Sequence, residues 1–230
     1  DYSGPLIVMI NRMSASASEI FAGAIKDYNR GVVVGSRSFG KGTIQELKSL
    51  GEGMLKITIA RFYRVTGEST QDNGVLPDIE YPGFYKIEDE NKKSGPWSAN
   101  RILSADYKTY SSLDKVNEKL RKLYAKRASI DPQIKYLKKR IQLSEEIQST
   151  STLSLNLEVR KSQKTDYEKT ELEIENEYLE ATGKKPVEKI DRPDNQMDKQ
   201  MEDSADILMQ QTHIVMADMI RAAGEFDLVW

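Results

Sequence analysis

Two short stretches carry residue types that can do covalent chemistry. The first is Ser14-Ala15-Ser16-Ala17-Ser18-Glu19, which runs straight into a helical apolar pattern. A serine at a helix start commonly serves as an N-cap, and Ser16 with Glu19 three residues on spells a capping box. The same geometry suits a nucleophile, because first-turn N–H groups face any oxyanion that develops beside them. The N–H of Ala17 would be the donor. The second stretch is Gly35-Ser36-Arg37-Ser38-Phe39-Gly40-Lys41-Gly42. It falls one residue type short of a phosphate-binding P-loop, because Gly42 stands where the magnesium-holding Ser or Thr belongs. The segment after it, Thr43 to Leu47, does not read as the long apolar helix that a P-loop opens. No apolar strand ending in Asp offers a second metal ligand, so nucleotide binding is disfavoured.

A serine becomes a nucleophile when a base takes its proton, and a neutral lysine can serve. Free lysine has a pKa of about 10.4, which desolvation lowers. Gly40 and Gly42 allow close backbone packing around Lys41. Other chemistries are short of parts. There is no cysteine, which excludes disulfides, Cys-ligated zinc and a thiol nucleophile. The single histidine, His213, lies in a remote helical segment and reads as an ordinary helix-face residue. No cofactor and no metal site is expected.

The elements that must position these loops follow from hydropathy. Leu6 to Ile10 is an unbroken apolar run, the mark of a parallel strand covered on both faces. A helix follows, with Ile20, Phe21, Ala24, Ile25 and Tyr28 on one face. Gly31 closes it, and Val32-Val33-Val34 gives a second strand. This is a right-handed strand–helix–strand crossover. Functional loops in such sheets lie beyond the carboxyl ends of the strands, where both stretches fall. Thr43 to Leu47 alternates weakly, and Met54 to Val65 reads as one long strand with Leu55, Ile57 and Ile59 on one side. Gly67, Asn73-Gly74 and Pro77 mark turns.

Charge divides the chain. Residues 1–82 hold 18 of the charged residues and 10 of the 14 glycines, so the remainder is charged and glycine-poor. An α/β segment is therefore followed by a mainly α-helical one. Residues 83–105, around Gly95-Pro96-Trp97, form a connection in which Trp97 is a packing anchor. Helices are expected from about Asp106 to Ala128, after Asp131-Pro132, over 160–181 and over 203–222. Leu153, Leu155 and Leu157 form a short strand or an extended helix entry, and 184–198 is a linker. The methionines of the last helix read as core. The net charge of −2 argues against nucleic-acid binding, and no apolar run reaches the ~20 residues of a membrane span.

The residues quoted from both loops resemble the C-terminal-processing (tail-specific) serine proteases. Ser14 to Glu19, Phe39-Gly40-Lys41-Gly42-Thr43-Ile44-Gln45, Ser69-Thr70-Gln71 and Gly74-Val75-Leu76-Pro77-Asp78-Ile79 carry the resemblance. The helical region is similar to that of the family's long bacterial branch. The resemblance implies that Ser16 is the nucleophile and Lys41 its base. Gln45 would position Lys41, and Ala17 N–H would be an oxyanion donor. Asp27 would be a lower-ranked candidate acid. It also implies a partial protease core with a mixed sheet and crossover helix, divided as 1–82, a connection over 83–105 and a helical region over 106–230. A PDZ domain and the first half of the core would precede this segment, so the isolated segment would lack a complete site. Implied partners are protein substrates with apolar C-termini, with adaptor contact or self-association falling to the helical region. The implied location is the bacterial periplasm or another exported compartment. The competing expectation is a non-catalytic helical scaffold or an inactive fragment.

Overall fold

The computed structural model describes residues 2–83, 101–190 and 196–226, with side chains 196–203 excepted. Gly95-Pro96-Trp97 lies outside the described residues. The chain forms a partial α/β core followed by helices and divides into two compact units. One comprises Asp1–Lys122 with Thr212–Trp230, and the other Leu123–Gln211.

In the first unit, β1 (Ile7–Ile10), β2 (Val32–Gly35) and β5 (Ile79–Glu80) form a parallel sheet in the order β1-β2-β5. The helix α1 (Ala17–Asp27) makes the β1-to-β2 crossover. Central β2 is buried along its length, as three consecutive valines require. β1 is at the sheet's edge and leaves Met9 exposed, which corrects the expectation of full cover on both faces. Glycine is obligatory at the end of β2. Gly35 has φ +120°, and a Cβ there would stand 1.9 Å from the Ile10 carbonyl oxygen.

The buried face of α1 also differs from the apolar pattern. Glu19, Ala22 and Gly23 turn inward, while Ile20 and Phe21 remain 49 % and 56 % exposed. The small residues at 22 and 23 let the helix come close to its neighbours. A Cβ on Gly23 would already touch Arg64. Arg64 reaches the last residue of the helix and forms a two-pronged ion pair with Asp27, the Nε contact being 2.8 Å.

β3 (Thr43–Ser49) and β4 (Met54–Arg61) form a separate antiparallel ribbon with a bulge between Ile44 and Gln45. Leu55, Ile57 and Ile59 occupy alternate β4 positions as expected, but all are exposed. β4 stops at Arg61 rather than Val65. Beyond it Phe62 N–H turns to the Gly42 carbonyl, and Arg64 to Glu68 closes a tight turn at Gly67. The helix α2 (Asp114–Ala128) begins eight residues later than the expected Asp106. The intervening segment is pinned to the core instead. Ala105 N–H bonds Val65 O, Tyr110 N–H bonds Tyr28 O, and the Tyr107 ring meets Tyr28 edge-on.

In the second unit, α3 (Pro132–Gln148) starts as its Asp-Pro signal indicates. Asp131 Oδ1 accepts from Gln133 and Ile134 N–H. α4 (Leu157–Ala181) is capped by Asn156 and entered through an extended stretch bearing Leu153 and Leu155. α3 and α4 pack through a polar-aromatic network. Tyr136 stacks on Tyr178, donates to Glu175 at 2.7 Å and accepts from Arg140, which also reaches buried Glu171. α5 (Gln196–Glu225) is longer than 203–222 at both ends, because no Pro or Gly interrupts the sequence between Pro193 and Gly224.

Asp27 and Arg64 have side chains only 4 % and 12 % exposed. Asp27→Ala should therefore cost about 3–5 kcal/mol, read as a shift in the urea midpoint, because it strands a buried guanidinium. Burial, seconded by Glu175 and opposed by Arg140, raises the Tyr136 pKa above its ordinary value. The folded state thus holds that proton more tightly than the unfolded chain. Stability from this site is complete below about pH 10 and is lost as pH rises further. The urea midpoint should fall between pH 9 and pH 11 by more in the wild type than in Tyr136→Phe.

Candidate active site

Both chemical loops end on one buried carboxylate. Glu19 is fully buried in the first turn of α1. Its Oε1 accepts from Ser38 Oγ at 2.6 Å and from Gly40 N–H at 2.7 Å. Its Oε2 accepts from Ser16 N–H at 2.8 Å and from Lys41 N–H at 2.8 Å. Four donors use the whole accepting capacity of a carboxylate. The amide nitrogens of Ser16 and Lys41 share one oxygen, so they lie within twice that bond length of each other. The sheet delivers the two loops to the same edge, and Glu19 joins them there.

Further contacts fix each loop. Ser38 Oγ, fully buried, also accepts from Val75 N–H at 2.6 Å. Phe39 N–H bonds Ser14 O at 2.9 Å, tying the lysine loop to the serine loop through their backbones. Arg12 spans the same gap, donating through Nη1 to Ser38 O and Phe39 O at 2.7 Å each. On the other side, Gly42 N–H donates to Gln71 Oε1 at 3.0 Å, and Asp72 N–H bonds Gly40 O at 2.9 Å. Gly40 has φ +95°, and a Cβ there would press on the Asp72 backbone. Gln71 and Asp72 are thus the wall against which the glycines on either side of Lys41 are held.

Ser16 sits at the N-cap of α1 with φ 60° and ψ −115°, a conformation costly to a residue with a Cβ. Ser16 and Glu19 form a capping box, and Glu19 N–H bonds the Ser16 carbonyl at 2.9 Å. Ala17 follows as the first helical residue, exposed, and by position its N–H has no acceptor within the helix. Lys41 is half-buried. Gln45 is exposed on β3, directly after the bulge, and among the described residues it makes no hydrogen bond to Lys41. Asp27 is the last residue of α1, about 16 Å along the helix from Ser16 at 1.5 Å per residue, and is committed to Arg64.

Sequence reasoning reached Ser16, Ala17 and Lys41 but saw Glu19 only as half of a capping box. Glu19 had a usable signal, being an acid three residues past a helix-start serine. Gln71 lay in a stretch that carried the resemblance, whereas Ser38 and Arg12 had no signal, because their roles depend on contacts across 26 to 37 residues. Among the described residues, no cluster of His, Cys, Asp or Glu could hold a metal ion, and no helix is long and apolar enough to cross a membrane.

Residues 1–81 match peptidase family S41, and residues 88–221 match the C-terminal domain of tail specific protease. The α/β segment is thus of a peptidase class. The chain as a whole belongs to the tail-specific protease family. It is 37 % identical over 204 residues to the tail-specific protease of Haemophilus influenzae, covering 83 % of this chain and 29 % of that protein. It is 51 % identical over 76 residues to the carboxy-terminal-processing protease of Bartonella bacilliformis, covering 33 % of this chain and 18 % of that protein. A solved photosystem II D1 C-terminal processing protease is 45 % identical over 33 % of this chain and 20 % of its own, with a TM-score of 0.31. The chain spans less than a third of these curated relatives.

Glu19 should be the residue on which loop order depends. Glu19→Gln keeps the shape but puts two donors where two acceptors are needed. It should speed amide hydrogen exchange at Ser16, Gly40 and Lys41. Glu19→Ala should also lower stability by about 3 kcal/mol or more, because several buried donors lose their acceptor together.

Proposed function

We propose that this chain is the part of a serine endopeptidase that carries its Ser16–Lys41 dyad. Residues 1–82 are the later half of the protease core, 83–105 a connection and 106–230 a helical region. The observation behind this reading is the single Glu19 oxygen that accepts both the Ser16 and the Lys41 amide N–H.

The reaction is acyl transfer. Neutral Lys41 takes the Ser16 Oγ proton as Oγ attacks the peptide carbonyl carbon. The carbonyl electron pair moves to oxygen, and Ala17 N–H donates to that oxyanion. The intermediate collapses, the C–N bond breaks, and Lys41 returns the proton to the leaving amine. Water, deprotonated by the same lysine, then releases the acyl group and restores Ser16. Gln45 holds the Lys41 side chain in its working position once substrate is bound.

The family membership supports protein substrates, chosen by apolar C-terminal tails, and an exported, periplasmic setting. Adaptor binding or self-association falls to the helical region, where Leu153, Leu155 and Leu157 are exposed.

In the full-length protein, Ser16→Ala and Lys41→Ala should each cut cleavage of a disordered protein with an apolar tail by roughly 10⁴-fold or more, with the urea midpoint little changed. Mass spectrometry of the products is the readout. Wild-type rates in folded Lys41→Ala protein would remove the dyad. Cleavage by the isolated 230-residue chain should fall far below that of the full-length protein.

A further inference from the structure

Lys41 stands between two glycines, Gly40 and Gly42. Glycine backbone is permissive, so contacts from outside decide the path of the chain and, with it, where the Lys41 side chain is aimed. Up to the Lys41 N–H those contacts come from Glu19, which accepts from Gly40 and Lys41 N–H. Glu19 reaches no further along the loop. Beyond the lysine, Gly42 N–H donates to the Gln71 side-chain oxygen at 3.0 Å, and the Gly42 carbonyl accepts from Phe62 N–H at 3.1 Å.

Gln71 is itself held from two sides. Its Nε2 donates to Asp72 Oδ1 at 2.8 Å, and its own N–H donates to Ser69 Oγ at 3.1 Å. A side-chain amide has a donor end and an acceptor end. With the donor end spent on the Asp72 carboxylate, the acceptor end is left for Gly42. The fit is close, since a Cβ on Gly42 would stand 2.7 Å from the Gln71 backbone nitrogen. The residues around Gln71 are fastened to the earlier part of the lysine loop as well. Asp72 N–H bonds Gly40 O at 2.9 Å, Ser38 N–H bonds Val75 O at 3.2 Å, and Val75 N–H bonds Ser38 Oγ at 2.6 Å. The Phe62 contact is main chain to main chain, so the grip on this flank that a substitution can remove is the Gln71 amide.

We propose that Gln71 is a positioning residue for Lys41, fixing the backbone on the far side of the base from Glu19. This role rests on the dyad reading above. It differs from that of Gln45, which is exposed on β3 and would act on the Lys41 side chain.

The test measures cleavage of the disordered protein with an apolar tail by full-length variants, per folded molecule. Gln71→Leu keeps the bulk and loses both polar contacts. It should lower kcat about 10- to 100-fold with KM within about twofold, since misplacing a catalytic group acts on the chemical step. Gln71→Glu keeps an oxygen for Gly42 N–H but sets a carboxylate against Asp72, and it should also be slow. Gln71→Glu with Asp72→Asn exchanges donor and acceptor while keeping the oxygen on Gly42, and it should return kcat to within about threefold of wild type. A residue needed only for packing would not respond to that exchange. Amide hydrogen exchange at Gly42 should quicken in Gln71→Leu and slow again in the double variant. Wild-type kcat in Gln71→Leu, or a double variant no faster than Gln71→Glu, would overturn the positioning role and leave the dyad standing. If Gln71→Leu does not fold, the single and double exchange variants decide between these outcomes. Wild-type rates in Lys41→Ala are a separate result, which would remove the dyad and this role with it.

Discussion

The first 82 residues are organised by one buried anion. Glu19 is removed from water, and a carboxylate is stable there only where hydrogen-bond donors replace its hydration. Four of them do so, three from backbone N–H groups and one from the Ser38 hydroxyl. Each donor belongs to a loop that leaves the carboxyl end of a parallel strand. The desolvation cost of the charge therefore becomes a constraint on loop geometry. If the lysine loop moved away, the carboxylate would lose three of its four donors, and if the serine loop did, it would lose the fourth. The constraint acts through main-chain atoms at Ser16, Gly40 and Lys41, so it leaves the side chains of Ser16 and Lys41 available.

This anion also explains why α1 turns an unexpected face inward. A pattern of apolar residues predicts burial of Ile20, Phe21, Ala24, Ile25 and Tyr28, since burying such surface stabilises by about 25 cal/mol per Å². The helix instead buries Glu19, Ala22 and Gly23. Once Glu19 points to the loops, the helix rotation is set. Positions 22 and 23 then face the same way and must be small for close approach, and Ile20 and Phe21 are carried to the surface. A single polar residue with four waiting donors outweighs the apolar stripe because leaving those donors unpaired would cost more than exposing two side chains.

Much of the arrangement was legible in the sequence, and the parts that were not share a cause. The all-valine β2, the crossover helix and the Asp-Pro start of α3 are local signals, and all hold. The late start of α2 was not legible, because 106–113 is tied down by Tyr28 and Asn29, which lie far away in the chain. The true length of β4 was hidden likewise, as its end is decided by Gly42 and by the Gly67 turn. In the site, the serine and lysine loops announced themselves by composition. Ser38 and Arg12 are ordinary residues by type, and only the folded contacts give them roles.

The oldest ambiguity of a helix-start serine is whether it caps or reacts. A capping serine adopts extended backbone and turns its Oγ back to a first-turn N–H. Ser16 departs from the first of these. Its φ of 60° tips the residue out of the usual cap conformation, and Glu19 N–H reaches its carbonyl oxygen. The reciprocal contact, Ser16 N–H to the Glu19 carboxylate, completes a capping box between the two residues. Backbone strain of this kind, on the order of 1–3 kcal/mol, persists only where surrounding contacts enforce it. Here those contacts are the donors gathered on Glu19. The fold thus maintains a strained serine at the point where the lysine loop arrives.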